Sequence, residues 1–125
     1  MKNLLFLPLV LVSCLCFAQD AKEIIGKPIK IGNLLVAQND FPNVMNWNDA
    51  KLACQNLGKG WRLPSKTELN ILYKNRKKIG GFMYLYYWSS TKIDNYDAWV
   101  QFFDFGAQNN YGKEATTNVR AVRSL

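Results

Sequence analysis

The chemistry open to this chain is bounded first by a residue it lacks. It contains no histidine, which removes Ser-His and Cys-His nucleophiles and histidine-ligated zinc. Carboxylates remain. Asp94, Asp97, Asp104 and Glu114 lie in one stretch, and two carboxylates at a suitable separation can hydrolyse a glycosidic bond. Their setting argues against that use, because Asp94-Asn95-Tyr96-Asp97 has turn composition and turn acids commonly serve backbone geometry. Gly58-Lys59-Gly60 is too short to cradle a phosphate. Cys54 is placed on the apolar face of a helix and has no base to activate it, so it reads as a small core residue. The chain is expected to be non-catalytic.

Binding chemistry is better represented. Tyr96, Trp99 and Tyr111, with Asn109 and Asn110, fall in the same half of the chain. Along Ala98 to Phe105, strand alternation puts Ala98, Val100 and Phe102 on one side. Trp99, Gln101, Phe103 and Phe105 take the other. A solvent-facing side would let Tyr96, Trp99 and Tyr111 form a platform for sugar rings or a partner protein. A sheet covered on both faces is the preferred alternative. A second candidate is the cluster Lys74, Arg76, Lys77 and Lys78, in a chain of formal net charge +7. It either complements a helix macrodipole, the favoured reading, or binds polyanions.

The elements that must position these residues follow from pattern. Gly58 stops one helix, and Pro64 keeps Trp61-Arg62-Leu63 extended before the next. Ser65 and Glu68 have capping-box spacing. The first helix starts at Asn46 and turns Ala50, Ala53, Cys54 and Leu57 inward. The second runs from about Lys66 to Lys78, with Leu69, Leu72 and Tyr73 inward, and stops at Gly80-Gly81. One strand is expected after the Gly32-Asn33 turn, and others at 84–91, 98–105 and 117–124. Asn109, Asn110 and Gly112 are assigned to a connection. Strand, two helices and then a strand-rich half argue for an α+β fold with two helices on small antiparallel sheets.

Asn46-Trp47-Asn48-Asp49-Ala50, Cys54, Gly60-Trp61-Arg62-Leu63-Pro64-Ser65, Tyr87-Trp88-Ser89-Ser90-Thr91 and Val119-Arg120-Ala121-Val122-Arg123 together resemble the DUF1566 family, or Lcl C-terminal domain. The resemblance runs from about Gly32 to the end, which sets the domain at 32–125 after a lead-in at 19–31. It implies a single C-type-lectin-like domain, distantly related to formylglycine-generating enzymes. Those enzymes use paired cysteines, which this chain does not supply once its leader is removed. Trp61, Trp88, Arg120 and Arg123 belong to the family pattern and read as scaffold, the arginines pairing with carboxylates such as Asp49 or Glu68. Lectin resemblance also raises calcium, with Asp94, Asp97 and Asp104 as weak candidates and Asn95, Asn109 and Asn110 as further oxygens. No Glu-Pro-Asn or Gln-Pro-Asp tripeptide accompanies them, so no cofactor is expected.

Residues 1–18 read as a secretory signal peptide: Lys2, an apolar run from Leu4 to Leu15, and Cys16-Phe17-Ala18 before Gln19. The run is too short for a permanent span. Leu11-Val12-Ser13-Cys14 also resembles a lipobox, which would make Cys14 a lipid anchor. The combined reading is a secreted or periplasmic binding module for a surface glycan, polyanion or envelope protein, without specific nucleic-acid binding. The alternative is a structural or assembly component of the envelope with no small ligand. Intact mass of the exported protein is expected to fit a chain starting at Gln19 with no acyl group. A lipidated Cys14 would refute this.

Overall fold

A computed structural model describes residues 20–125. The leader, its cleavage motif and Cys14 lie outside the described residues. Two capped helices set the frame. Asn46 Oδ1 accepts from Asp49 N–H at 2.9 Å and starts α2 (Trp47–Gln55). Ser65 Oγ accepts from Glu68 N–H while Glu68 Oε1 accepts from Ser65 N–H, a full capping box opening α3 (Lys66–Lys74). A short α1 occupies residues 20–25, and Ile24 from it is buried. The second expected helix breaks at Asn75, and α4 (Arg76–Ile79) follows. Asn75 explains the break: its amide bonds the Ile71 carbonyl, competing with the continuing ladder.

One sheet has the order β1-β2-β7-β3, built from Ile29–Ile31, Leu34–Val36, Val122–Ser124 and Trp61–Arg62. The other is β4-β5-β6, from Tyr86–Lys92, Asp97–Phe102 and Gln108–Gly112. All strand pairs are antiparallel. Three strand expectations need correction. Ile29–Ile31, before the Gly32 turn, is itself a strand. Of 117–124 only Val122–Ser124 pairs as a strand, because Thr117 bridges to Met45 and Asn118 to Tyr87. Gln108–Gly112 is a strand and not a connection: its Asn and Gly composition suggested a turn, but pairing with β5 decides it.

The β4-β5-β6 sheet separates two cores. On one side Trp88, Ala98 and Val100 meet Trp47, Ala50, Cys54, Leu63 and Val119. On the other Tyr87 and Phe103 meet Leu69, Leu72, Val36 and Val122. Both faces of β5 are therefore covered, the preferred alternative above.

Arg120 is 1 % exposed and binds everything around it. Its Nε donates to Asp40 Oδ1 at 2.7 Å, and its Nη groups donate to the carbonyls of Ala37 and Gly80 at 3.2 Å. The guanidinium carbon lies 4.0 Å from the Phe82 ring centroid. Tyr87 O–H donates to the other Asp40 oxygen. Burial pushes the Asp40 carboxyl up from its ordinary range, against the opposing pull of Arg120 and the Tyr87 hydrogen bond. The expected partners were wrong. Glu68 pairs with Arg62 at 2.6 Å, Asp49 is exposed at its helix start, and Arg123 is exposed at the sheet surface. The reason is chain position: the capping box points Glu68 back along its own chain toward Arg62. Arg120→Met is expected to cost about 3–5 kcal/mol, because it strands Asp40 without its charge partner. Chemical denaturation measures this, and a loss below about 1 kcal/mol, the range of an exposed pair, would remove Arg120 from its central place.

Candidate functional site

The residues singled out in the sequence do not converge. Asp94 Oδ1 accepts from the backbone N–H groups of Tyr96 and Asp97, both at 2.8 Å, a local Asx turn that lowers its carboxyl pKa. Tyr96 stands on that turn, 79 % exposed. Trp99 pairs across the sheet with Asn110, and Ala98 pairs with Tyr111. Successive side chains point to opposite faces. Trp99 and Tyr111 therefore cannot share a platform. Trp99 lies under the Lys66 ammonium, 3.4 Å from its ring centroid, while Tyr111 stacks against Tyr86. Asn109 and Asn110 are exposed on β6, also on alternate faces.

The calcium candidates are likewise scattered. Asp97 begins β5, Asp104 is exposed in the β5–β6 turn, and Asp94 is occupied by its own backbone. Among the described residues no group of three acidic, Cys or His side chains is placed to hold a metal ion. This donor set does not fit the multi-oxygen shell calcium takes. Burial pushes the Cys54 thiol up to about 12, so it is inert. Glu68 is held low by the Arg62 hydrogen bond, and Asp40 is committed to Arg120.

What the fold does assemble is an aromatic strip at the open end of the β4-β5-β6 sheet. Phe105 meets Phe102 edge-on at 5.4 Å, Phe102 stacks on Tyr86 at 4.7 Å, and Tyr86 meets Tyr111 at 4.7 Å. Phe105 is 77 % exposed, and Tyr84 and Leu85, which lead into Tyr86, are also exposed. The β5–β6 turn holds Phe105 out. Gly106 takes φ +87°, and a Cβ there would collide with the Tyr73 ring, so only glycine permits this close approach. Strand alternation carried over 98–105 groups Phe105 with Trp99, Gln101 and Phe103. The strand ends at Phe102, so alternation does not extend to Phe105.

Two concavities open elsewhere on the domain. One, of about 300 Å³, lies between Arg76, Lys77, Gly80 and Tyr84. The other, of about 590 Å³, has an apolar floor of Ile24, Phe41, Met45 and Leu57. Two polar side chains at the second are already spent, Asn39 on the Glu23 carbonyl and Asp40 on Arg120.

With α1, the paired sheets and the C-terminal strand all in one unit, the matching family model spans residues 20–123, the Lcl C-terminal domain. The chain belongs to that family. No curated protein matches the sequence. Among solved structures the Lcl C-terminal-type chain is similar to botrocetin, at TM-score 0.62 and 12 % identity, over 80 % of this chain and 98 % of botrocetin. It is also similar to EMS16, described as an antagonist of the collagen receptor integrin α2β1. That match has TM-score 0.59 and 16 % identity, over 78 % of this chain and 97 % of EMS16. A complex of botrocetin with a mutant von Willebrand factor A1 domain gives TM-score 0.58 at 12 % identity, over 80 % of this chain and 98 % of the matched one. These likenesses establish the C-type-lectin-like α+β fold.

Because no acidic cluster is assembled among the described residues of this Lcl C-terminal domain, neither calcium nor a chelator is expected to move its thermal midpoint. A ligand bound only by the folded state raises that midpoint. A rise with added calcium would reveal a site that the Asp94, Asp97 and Asp104 positions do not form.

Proposed function

We propose that this chain is a secreted, non-catalytic binding module that meets a partner protein through the aromatic strip Tyr86, Phe102, Phe105 and Tyr111. The carrying observation is the exposure of Phe105, 77 %, beside rings already stacked and held by the sheet. Contiguous aromatic surface on a rigid support is the usual make-up of a protein contact, and aromatic residues carry much of its energy. Two neighbours of the same fold support the choice of partner class: botrocetin appears in complex with a protein domain, and EMS16 is described as a receptor antagonist. Secretion rests on the leader at 1–18. Among the described residues no helix is long and apolar enough to cross a membrane.

A second reading has its own observation. Lys74, Lys77 and Lys78 are exposed, and none is in an ion pair among the described residues. Unpaired cations along α3 and α4 suit a polyanion, with binding that falls steeply as salt is raised.

Binding to intact cells separates the two. Under the first reading, Phe105→Ala abolishes binding, protease treatment of the cells removes it, and salt leaves it largely unchanged. Loss of binding only when Lys74, Lys77 and Lys78 become Gln, or only after periodate treatment, would overturn the protein-partner reading. Both variants sit on the surface, where substitutions change stability by about 0.5 kcal/mol or less.

A further inference from the structure

We infer that this chain associates with a second copy of itself along the open edge of β6, the two strands running antiparallel about Asn109. The argument begins at the central strand. Phe103 N–H donates to the Leu85 carbonyl, on the β4 side, whereas Phe102 N–H donates to the Ala107 carbonyl and Tyr96 C=O accepts from Lys113 N–H, on the β6 side. In an antiparallel pair these bonds alternate residue by residue. On β6, positions 107, 109, 111 and 113 therefore face β5. The N–H and C=O of Gln108 and Asn110 point outward, and among the described residues they have no partner. At Gly112 the carbonyl instead accepts from Ala115 N–H, which ends the open edge.

The other edges are guarded in recognised ways. β1 follows Pro28 and carries exposed Lys30, β3 is only 2 residues long, and the free side of β4 is bridged by Asn118. β6 reads Gln-Asn-Asn-Tyr-Gly, with no charge and no proline. An unprotected edge is a template for another strand.

The strand is its own complement. With Asn109 on the two-fold axis, Gln108 of one copy lies opposite Asn110 of the other, so every outward group of both residues finds a partner. Gly106 comes opposite Gly112, leaving no side chain to obstruct the ends of the pairing. The segment is uncharged, so two copies of a basic chain approach where repulsion is least. Such an isologous contact closes on itself as a dimer. It would also continue one three-stranded sheet into the next and place both aromatic strips on a common face. The pairing stands whether or not that strip is the binding surface.

Sedimentation of the purified protein over a concentration series up to about 1 mM, the scale of a weak contact, is expected to show a monomer–dimer equilibrium. Asn110→Pro removes an outward N–H and none of the β5–β6 bonds, so it should leave a monomer with unchanged circular dichroism. Register is read by oxidation. Asn109→Cys places two directly opposed residues about 4.5 Å apart between Cα atoms, within disulfide reach. It should therefore cross-link, and Gln108→Cys should not. Cys54, fully buried, does not compete. A chain monomeric to about 1 mM, an Asn110→Pro variant that associates like wild type, or equal cross-linking by both cysteines would overturn the proposal. If Asn110→Pro loses its fold, the cysteine pair decides alone.

Discussion

A buried guanidinium organises this domain. Removing a charge from water costs several kcal/mol unless its hydrogen bonds are all met, and Arg120 meets them only if distant segments arrive together. The loop after β2 supplies Asp40 and the Ala37 carbonyl, the end of α4 supplies the Gly80 carbonyl, and Tyr87 on β4 holds the far side of Asp40. Gly80 and Gly81 both take positive φ, and a Cβ on Gly81 would sit 3.2 Å from the Arg120 guanidinium. The two glycines are therefore needed for the carbonyl to reach the charge. From Phe82, which packs on that guanidinium, the chain passes through Tyr84 and Leu85 into the aromatic strip. The buried charge thus anchors the loop that precedes the exposed surface.

The same economy governs the other polar side chains. Among the described residues no buried side-chain nitrogen or oxygen lacks a hydrogen-bond partner. Trp47 and Trp88 donate across the core to the Ser89 and Met45 carbonyls, both at 2.9 Å. Gln101, buried on β5, donates to Asn70 on α3 and to the Gly106 carbonyl. These bonds tie the turn that exposes Phe105 to the helix behind it. Three carboxylates are held by partners: Asp40 by Arg120, Glu68 by Arg62, Asp94 by its own turn.

Features dictated by nearest neighbours in the chain are legible in the order of residues itself. Ser65 and Glu68 cap a helix because three residues of helical rise bring each side chain to the other's backbone N–H, whatever the rest of the protein does. Asn46 acts alike. Ala50, Cys54, Leu69 and Leu72 face inward because helical periodicity leaves them one stripe to bury. The order of elements and the family motifs carried the fold class.

Tertiary structure decided what depends on partners far away in the chain. Gln108–Gly112 has the composition of a turn and becomes a strand only because β5 lies beside it. Trp99 and Tyr111 are close in sequence, yet the register that pairs Ala98 with Tyr111 sends them to opposite faces. Arg120 could have matched any of several acids on charge alone. Its partner is Asp40, 80 residues away, because the β2–β7 pairing brings those two segments together. Phe105 is exposed because β5 ends at Phe102 and the turn that follows carries it past the strand, with Gly106 set against Tyr73 from another element. Local hydrogen bonds and periodicity are written in adjacent residues, whereas register, charge pairing and exposure are settled by packing between segments that the linear order does not bring side by side.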